Sequence, residues 1–265
     1  MNHTSRPSFE RYIGIDYSGA QTPISSLKGL REFMATAESD ALEVLPPPSP
    51  RKYWTRQGVA HWLLQTLSDA TPTIVGIDHG FSFPLRYFEY HQIQPDWDIF
   101  LRDFQQHWPT DGEYVYVDFV RDGFVGNGAQ RIGSPKWRRI TEQRCRAKSV
   151  FQFDVQGSVA KSTRSGLPWL LFLREKLGQQ LHFWPFDGFC PPSGRSVVAE
   201  AYPSLYKHRF PSSSSMTGDQ QDAWAIACWL KQADSSGELQ AVMLPQLDPS
   251  MQLMAKTEGW ILGVA

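Results

Sequence analysis

The chain predicts an α/β fold whose sheet is covered on both faces, and three observations point to it. Short β-branched apolar runs recur at Tyr12-Ile13-Gly14-Ile15, Ile74-Val75-Gly76-Ile77 and Val197-Val198-Ala199. Such continuous runs suit strands buried on both sides. The intervals between them carry apolar residues at helical spacing. Each of the three runs also stops at an acid, respectively Asp16, Asp78 and Glu200.

Taken in order, Arg11 to Tyr17 reads as the first strand and Gly29 to Ala37 as the second. Ala41 to Leu45 reads as a third, stopped by Pro46-Pro47-Pro48, because proline cannot donate to a ladder. Thr55 to Ala70 places Val59, Trp62, Leu63, Thr66 and Leu67 on a helix face. The fourth strand ends at Asp78. Asp96 to His107 repeats the helical pattern through Trp97, Phe100, Leu101 and Phe104, and Leu167 to Leu177 reads as a further helix. Val197 to Ala201 is the fifth strand. Thr217 followed by Gln220 forms a capping box, so a helix starts there, and from Ala223 onward it is apolar all round and therefore buried. Trp260 to Val264 is a closing apolar segment.

The candidate chemistry lies in the acids. Asp219 and Asp222, spaced i, i+3, share a face of that last helix, and Asp222 continues the stripe through Ile226, Trp229 and Leu230. A carboxylate there needs a partner, a proton or a metal ion. In open sheets with parallel strands, ligand sites gather beyond the carboxyl ends of the strands. Asp16, Asp78, Glu200 and Asp222 could thus meet in one cleft, where mutual repulsion calls for a cation. Oxygen-only ligation suits Mg²⁺ or Mn²⁺. Each acid also has a bland reading. Asp219 suits the helix dipole, while Asp16-Tyr17-Ser18-Gly19 and Asp78-His79-Gly80 are ordinary turn sequences. Glu200 resists that reading, since glutamate is a poor strand residue and Ala-Tyr-Pro follows it.

Gly14-Ile15-Asp16 on a first strand and Asp219-Gln-Gln-Asp222-Ala-Trp-Ala-Ile-Ala on a late helix resemble the RNase H-like superfamily, with an acidic centre like that of the RuvC-type resolvases. More of the chain is similar to a domain-of-unknown-function family of predicted RNase H-fold nucleases. That likeness runs through Gly76-Ile77-Asp78, Lys148-Ser149-Val150-Phe151, Glu200-Ala201-Tyr202-Pro203 and Glu258-Gly259-Trp260-Ile261. The resemblance implies a mixed five-stranded sheet with helices on both faces. The wide sequence separation of Asp16 and Asp222 argues for a single domain over residues 1–265, and a minimal RNase H core leaves 85–195, between strands four and five, as an insertion. The resemblance further implies that Asp16, Asp78, Glu200 and Asp222, with Asp219 beside them, hold one or two Mg²⁺ or Mn²⁺ ions in a nuclease. The chain departs from the resolvases in having Asp78 where they carry a glutamate, and in Glu200 ending a strand just before the last helix.

Net charge is −1, so no global field draws nucleic acid to the chain. The local exception is Arg131, Lys136, Arg138, Arg139, Arg144, Arg146 and Lys148, set against Glu142 alone with Trp137 interleaved. Arg138 and Arg139 of that stretch, with Lys161 and Arg164 of a second polar-basic cluster, are candidates to hold nucleic-acid phosphates; the alternative is a solvated basic face. Gly123 to Gly128 reads as a flexible loop rather than a phosphate cradle, for want of a strand-to-helix unit. His79 is a candidate general base or an ordinary turn residue. Cys145, Cys190 and Cys228 lack metal spacing and suggest reduced thiols. No run reaches the roughly 20 apolar residues of a membrane span, and Met1 to Arg11 is polar, so a cytoplasmic location with no membrane partner is expected. Two other classes share these features: an ATP-binding protein of the sugar-kinase and actin type, from Gly-Ile-Asp-Tyr-Ser-Gly, and a non-catalytic RNase H-fold binding module.

Overall fold

Three antiparallel strands lead the computed structural model, which describes residues 8–211 and 214–265. Part of the polar start of the chain thus lies outside the described residues. β1 (Arg11–Tyr17) pairs with β2 (Leu30–Thr36), and β2 pairs with the short β3 (Leu42–Glu43). After α1 (Arg56–Leu67), β4 (Thr73–Asp78) returns parallel to β1. Far along the chain, β5 (Leu181–Trp184) and β6 (Ser196–Glu200) run parallel to each other, and β6 lies parallel beside β4. The result is a mixed six-stranded sheet in the order β3-β2-β1-β4-β6-β5.

The sequence expectation of five strands falls one short, because Leu-His-Phe-Trp is too brief a run to announce β5 and Pro185 follows it at once. The third strand is shorter than Ala41 to Leu45, and Leu42 and Leu45 are exposed, so this edge buries little.

Between β4 and β6 stand α2 (Leu85–His91), α3 (Trp97–His107), α4 (Val117–Arg121), α5 (Ile140–Arg144) and α6 (Ala160–Leu177). Their aromatic residues, such as Phe100 and Phe104, merge with Ile13, Ile15, Val75, Ile77 and Val198 in one buried cluster, which α1 joins through Val59 and Leu63. The opposite sheet face carries Tyr12, Phe33, Ile74, Val197 and Ala199 against α7 (Gly218–Ser236) and α8 (Glu238–Met243). α9 (Pro249–Glu258) leads to the apolar segment Trp260 to Leu262, buried in the same cluster. Each buried Ile226, Leu230 or Trp229 side chain of α7 contributes on the order of 1.5–3 kcal/mol. Among the described residues, no helix is long and apolar enough to cross a membrane.

α6 begins at Ala160 rather than Leu167, with Pro168 inside it. A proline frees the carbonyl four residues earlier, here that of Arg164. The Thr110 hydroxyl donates to that oxygen at 2.6 Å, so the helix runs on without an orphaned acceptor.

Candidate functional site

Two glycines position the acids. Gly14 and Gly76 are register partners in β1 and β4, and so are Asp16 and Asp78 two residues on. Strand alternation puts Gly14 with Asp16, and Gly76 with Asp78, on one face. That face meets α7. A Cβ on Gly14 would lie 2.6 Å from the Ala227 nitrogen, and one on Gly76 would lie 2.6 Å from Ile226 Cγ2. Only glycine admits the helix this closely, and its first turns then overlie the two strand ends. Those turns carry Asp219 and Asp222. The capping box fixes them: Gln220 N donates to Thr217 Oγ1 at 3.2 Å and Thr217 N donates to Gln220 Oε1 at 2.9 Å.

The electrostatics follow from that crowding. Burial pushes the Asp16 carboxyl up to about 7; a 2.6 Å hydrogen bond from the Ser18 hydroxyl opposes this, while Asp219 and Asp222 add to it. Burial also raises Asp78 well above the carboxylate range, with Asp16, Asp222 and Glu200 pushing the same way. Burial raises Asp219 too, and Asp222 adds to this. Among the described residues, nothing donates a hydrogen bond to the Asp78 carboxylate. Lys207, in a 3₁₀ turn after β6, sends Nζ to Asp222 Oδ1 at 2.9 Å, and its charge opposes the upward shifts of Asp16 and Asp78. The charges of Asp16 and Asp222 are thus felt at Asp78, and those of Asp219 and Asp222 at Asp16.

Glu200 does not belong to it. Its register partner is Ile77, so it lies one residue out of phase with Asp78 and on the opposite face of the sheet. Both its oxygens are taken by Arg139, Oε1 from Nη2 and Oε2 from Nη1, each at 2.6 Å, and Phe81 N adds a bond at 3.1 Å. Arg139 is 1% exposed and also donates through Nε to Glu142 Oε1 at 2.9 Å. Burial would lower its pKa, but Glu200 and Glu142 together raise it and hold the guanidinium charged. Sequence reasoning placed Glu200 among cation ligands and Arg139 on a phosphate-binding surface. Instead they form a buried bidentate pair that ties α5 to the end of β6.

The other proposed phosphate ligands are also engaged. Arg138 donates to the Ala147 carbonyl. Lys161 pairs with Asp118 at 2.8 Å. Arg164, far from lying on a surface loop, is fully buried in the second turn of α6. Of the wider basic stretch, Arg131 pairs with Asp103 and Arg144 donates to the Ala265 carbonyl. Lys148, though exposed, donates to the Gln156 carbonyl and borders a narrow cleft with Asp78, Tyr202 and Glu200. His79 is a core residue. Its ring packs against Gly166 and meets the Gly80 carbonyl through Nδ1 at 2.9 Å, and burial pushes it down to about 4, so it is neutral at pH 7 and poorly placed as a base.

A hard cation suits the donor chemistry of three aspartates, one of them without a hydrogen bond. Yet among the described residues no three His, Cys, Asp or Glu side chains are grouped so as to hold a metal ion, and Lys207 supplies the positive charge at Asp222. Lys207 and Ser18 are the site residues that sequence reasoning missed. Ser18 was visible as a hydroxyl two residues after Asp16, whereas nothing in Lys207-His208-Arg209 singles out its first member. Comparison with protein families, with curated proteins and with solved structures gave no match.

Proposed function

We propose that the chain is an RNase H-like, divalent-metal-dependent phosphodiester hydrolase acting on nucleic acid, with Asp16, Asp78 and Asp222 as its ligand set. One observation carries this reading: two aspartates in register at the ends of adjacent parallel strands, with a third brought over them by a helix seated on paired glycines. The sheet supports it too. β3-β2-β1-β4-β6 gives an antiparallel meander followed by two strands parallel to the first, a mixed five-stranded sheet as the resemblance implies, and β5 is an added edge strand.

The oxygen chemistry of Asp16, Asp78 and Asp222 is that of Mg²⁺ or Mn²⁺ ligands, and these three residues would be the holders. Such a cation supplies Lewis-acid polarisation of a phosphoryl oxygen and lowers the pKa of water. The chain's own contribution is the burial that raises the Asp16 and Asp78 carboxyls and the Lys207 ammonium held on Asp222. Ser18 fixes one Asp16 oxygen, and Lys148 at the cleft edge would turn from the Gln156 carbonyl to a backbone phosphate. Glu200 serves as an anchor and not as a ligand.

The test is cleavage of labelled single- and double-stranded DNA and RNA with Mg²⁺, Mn²⁺ or a chelator. Metal-dependent cleavage that Asp78→Asn abolishes and Glu200→Gln lowers only in step with stability supports the reading. Metal-independent cleavage, or none on any substrate, overturns it. Because Lys207 pairs with Asp222, a non-catalytic binding module is the second reading; retained nucleic-acid binding without cleavage would favour it.

A further inference from the structure

A cavity of about 440 Å³ opens among the insertion helices, on the sheet face opposite α7. It is lined by Trp108, Phe151, Phe153 and Val155, with Arg164 and the Arg121–Asp154 ion pair. Small-molecule sites run from about 300 to 1,000 Å³ and are mostly apolar with a few directed polar groups. This one has that composition.

Arg164 is the unusual member. Its side chain is fully buried, yet among the described residues no carboxylate pairs with it. Nη1 is anchored by the Val150 carbonyl at 2.7 Å and the Ala160 carbonyl at 3.2 Å. Nε and Nη2, the side-on edge of the guanidinium, have no hydrogen-bond partner and are closed over by the surrounding rings, so a ligand from the cavity reaches them as those rings shift. The guanidinium lies 4.1 Å from the Phe153 ring centre, with Phe83, Trp108 and Phe151 at 5.0, 5.1 and 5.2 Å. Trp108 Nε1 is a further buried donor without an acceptor. Aromatic rings offset part of the cost of a desolvated cation but leave its N–H groups unsatisfied.

The unsatisfied groups define the ligand. Nε and Nη2 form a two-donor fork, which matches the two oxygens of a carboxylate. An anion also answers the buried, unpaired positive charge, as a neutral acceptor would not. The walls are aromatic rings, which select a flat partner. We propose that this cavity binds a planar aromatic carboxylate, its carboxyl group on the Arg164 fork and its ring among Trp108, Phe151 and Phe153. Val155, which is 44% exposed, stands at the entrance. The site is separate from the aspartate centre and does not depend on the activity proposed for it.

Calorimetry on the full chain at neutral pH tests this with 2-naphthoate and its uncharged counterpart 2-naphthalenemethanol. Naphthoate is expected to bind one-to-one and at least tenfold tighter than the alcohol. Arg164→Met should abolish that preference. Val155→Trp, which fills the entrance without touching the guanidinium, should weaken both ligands at least tenfold while leaving the circular dichroism spectrum unchanged. If Arg164→Met does not fold, the charge preference of the parent chain and the Val155→Trp result decide alone. No saturable naphthoate binding up to ~1 mM, equal affinity for acid and alcohol, or undiminished binding by Val155→Trp overturns the proposal.

Discussion

Replacing Asp16 with asparagine removes one charge from the crowded centre and keeps an oxygen to accept the Ser18 hydroxyl. Burial, with Asp219 and Asp222 behind it, raises this carboxyl from 3.8 to about 7 in the folded chain. The folded state therefore binds its proton more tightly than the unfolded state does. Between the two pKa values the native chain holds more protons, so stability falls as pH rises through that window and levels off above it. A shift of about three units corresponds to ~4 kcal/mol at 1.36 kcal/mol per unit, an upper bound on what ionised Asp16 costs at pH 8. Asp16→Asn should thus be more stable than the parent at pH 8, by up to about 4 kcal/mol, and nearly equal to it at pH 4. Urea denaturation at both pH values, without divalent metal, measures the difference. An Asp16→Asn chain less stable than the parent at pH 8, or a gap that is the same at both pH values, would refute the reasoning.

Other expectations rest on other contacts. Gly14→Ala drives a Cβ into the backbone of α7 and should destabilise by at least ~1–3 kcal/mol in urea denaturation, since the obstacle is main chain that no rotamer change relieves. Arg139→Met leaves Glu200 and Glu142 buried without their cation, a loss of about 3–5 kcal/mol by the same measurement. The double variant Arg139→Met/Glu200→Gln should recover part of that loss. Lys207→Met removes the cation bound to Asp222 and should increase the thermal stabilisation given by Mn²⁺, read by differential scanning fluorimetry; an unchanged response would separate Lys207 from the site.

The fold class was readable because β1, β4 and β6 are uninterrupted apolar runs, and the start of α7 because its capping box is written in Thr217 and Gln220. β5 and the first turns of α6 were hidden. β5 is four residues long, and α6 contains a proline whose unpaired carbonyl is satisfied by Thr110, a residue distant in sequence. A glycine stands two places before each strand-end aspartate, Asp16 and Asp78, but its reason, the close approach of α7, is not legible until the helix is in place. Glu200 misled because register parity cannot be read from one strand. Its run ends in an acid as the others do, but its phase against β4 turns it to the opposite face, where Arg139 waits. The basic stretch misled for a similar reason, since Arg131, Arg139 and Arg144 find partners far along the chain or across the fold.

The central claim is that Asp16, Asp78 and Asp222 share a divalent cation. The most direct measurement is anomalous diffraction from crystals of the protein soaked in Mn²⁺ at a pH above 7, where the Asp16 carboxyl is free to give up its proton. The account predicts a Mn²⁺ peak in contact with oxygens of these three aspartates, with Lys207 displaced from Asp222 and the Glu200–Arg139 pair undisturbed. A peak on Glu200, or three aspartates that remain empty with Lys207 still in place, would contradict it.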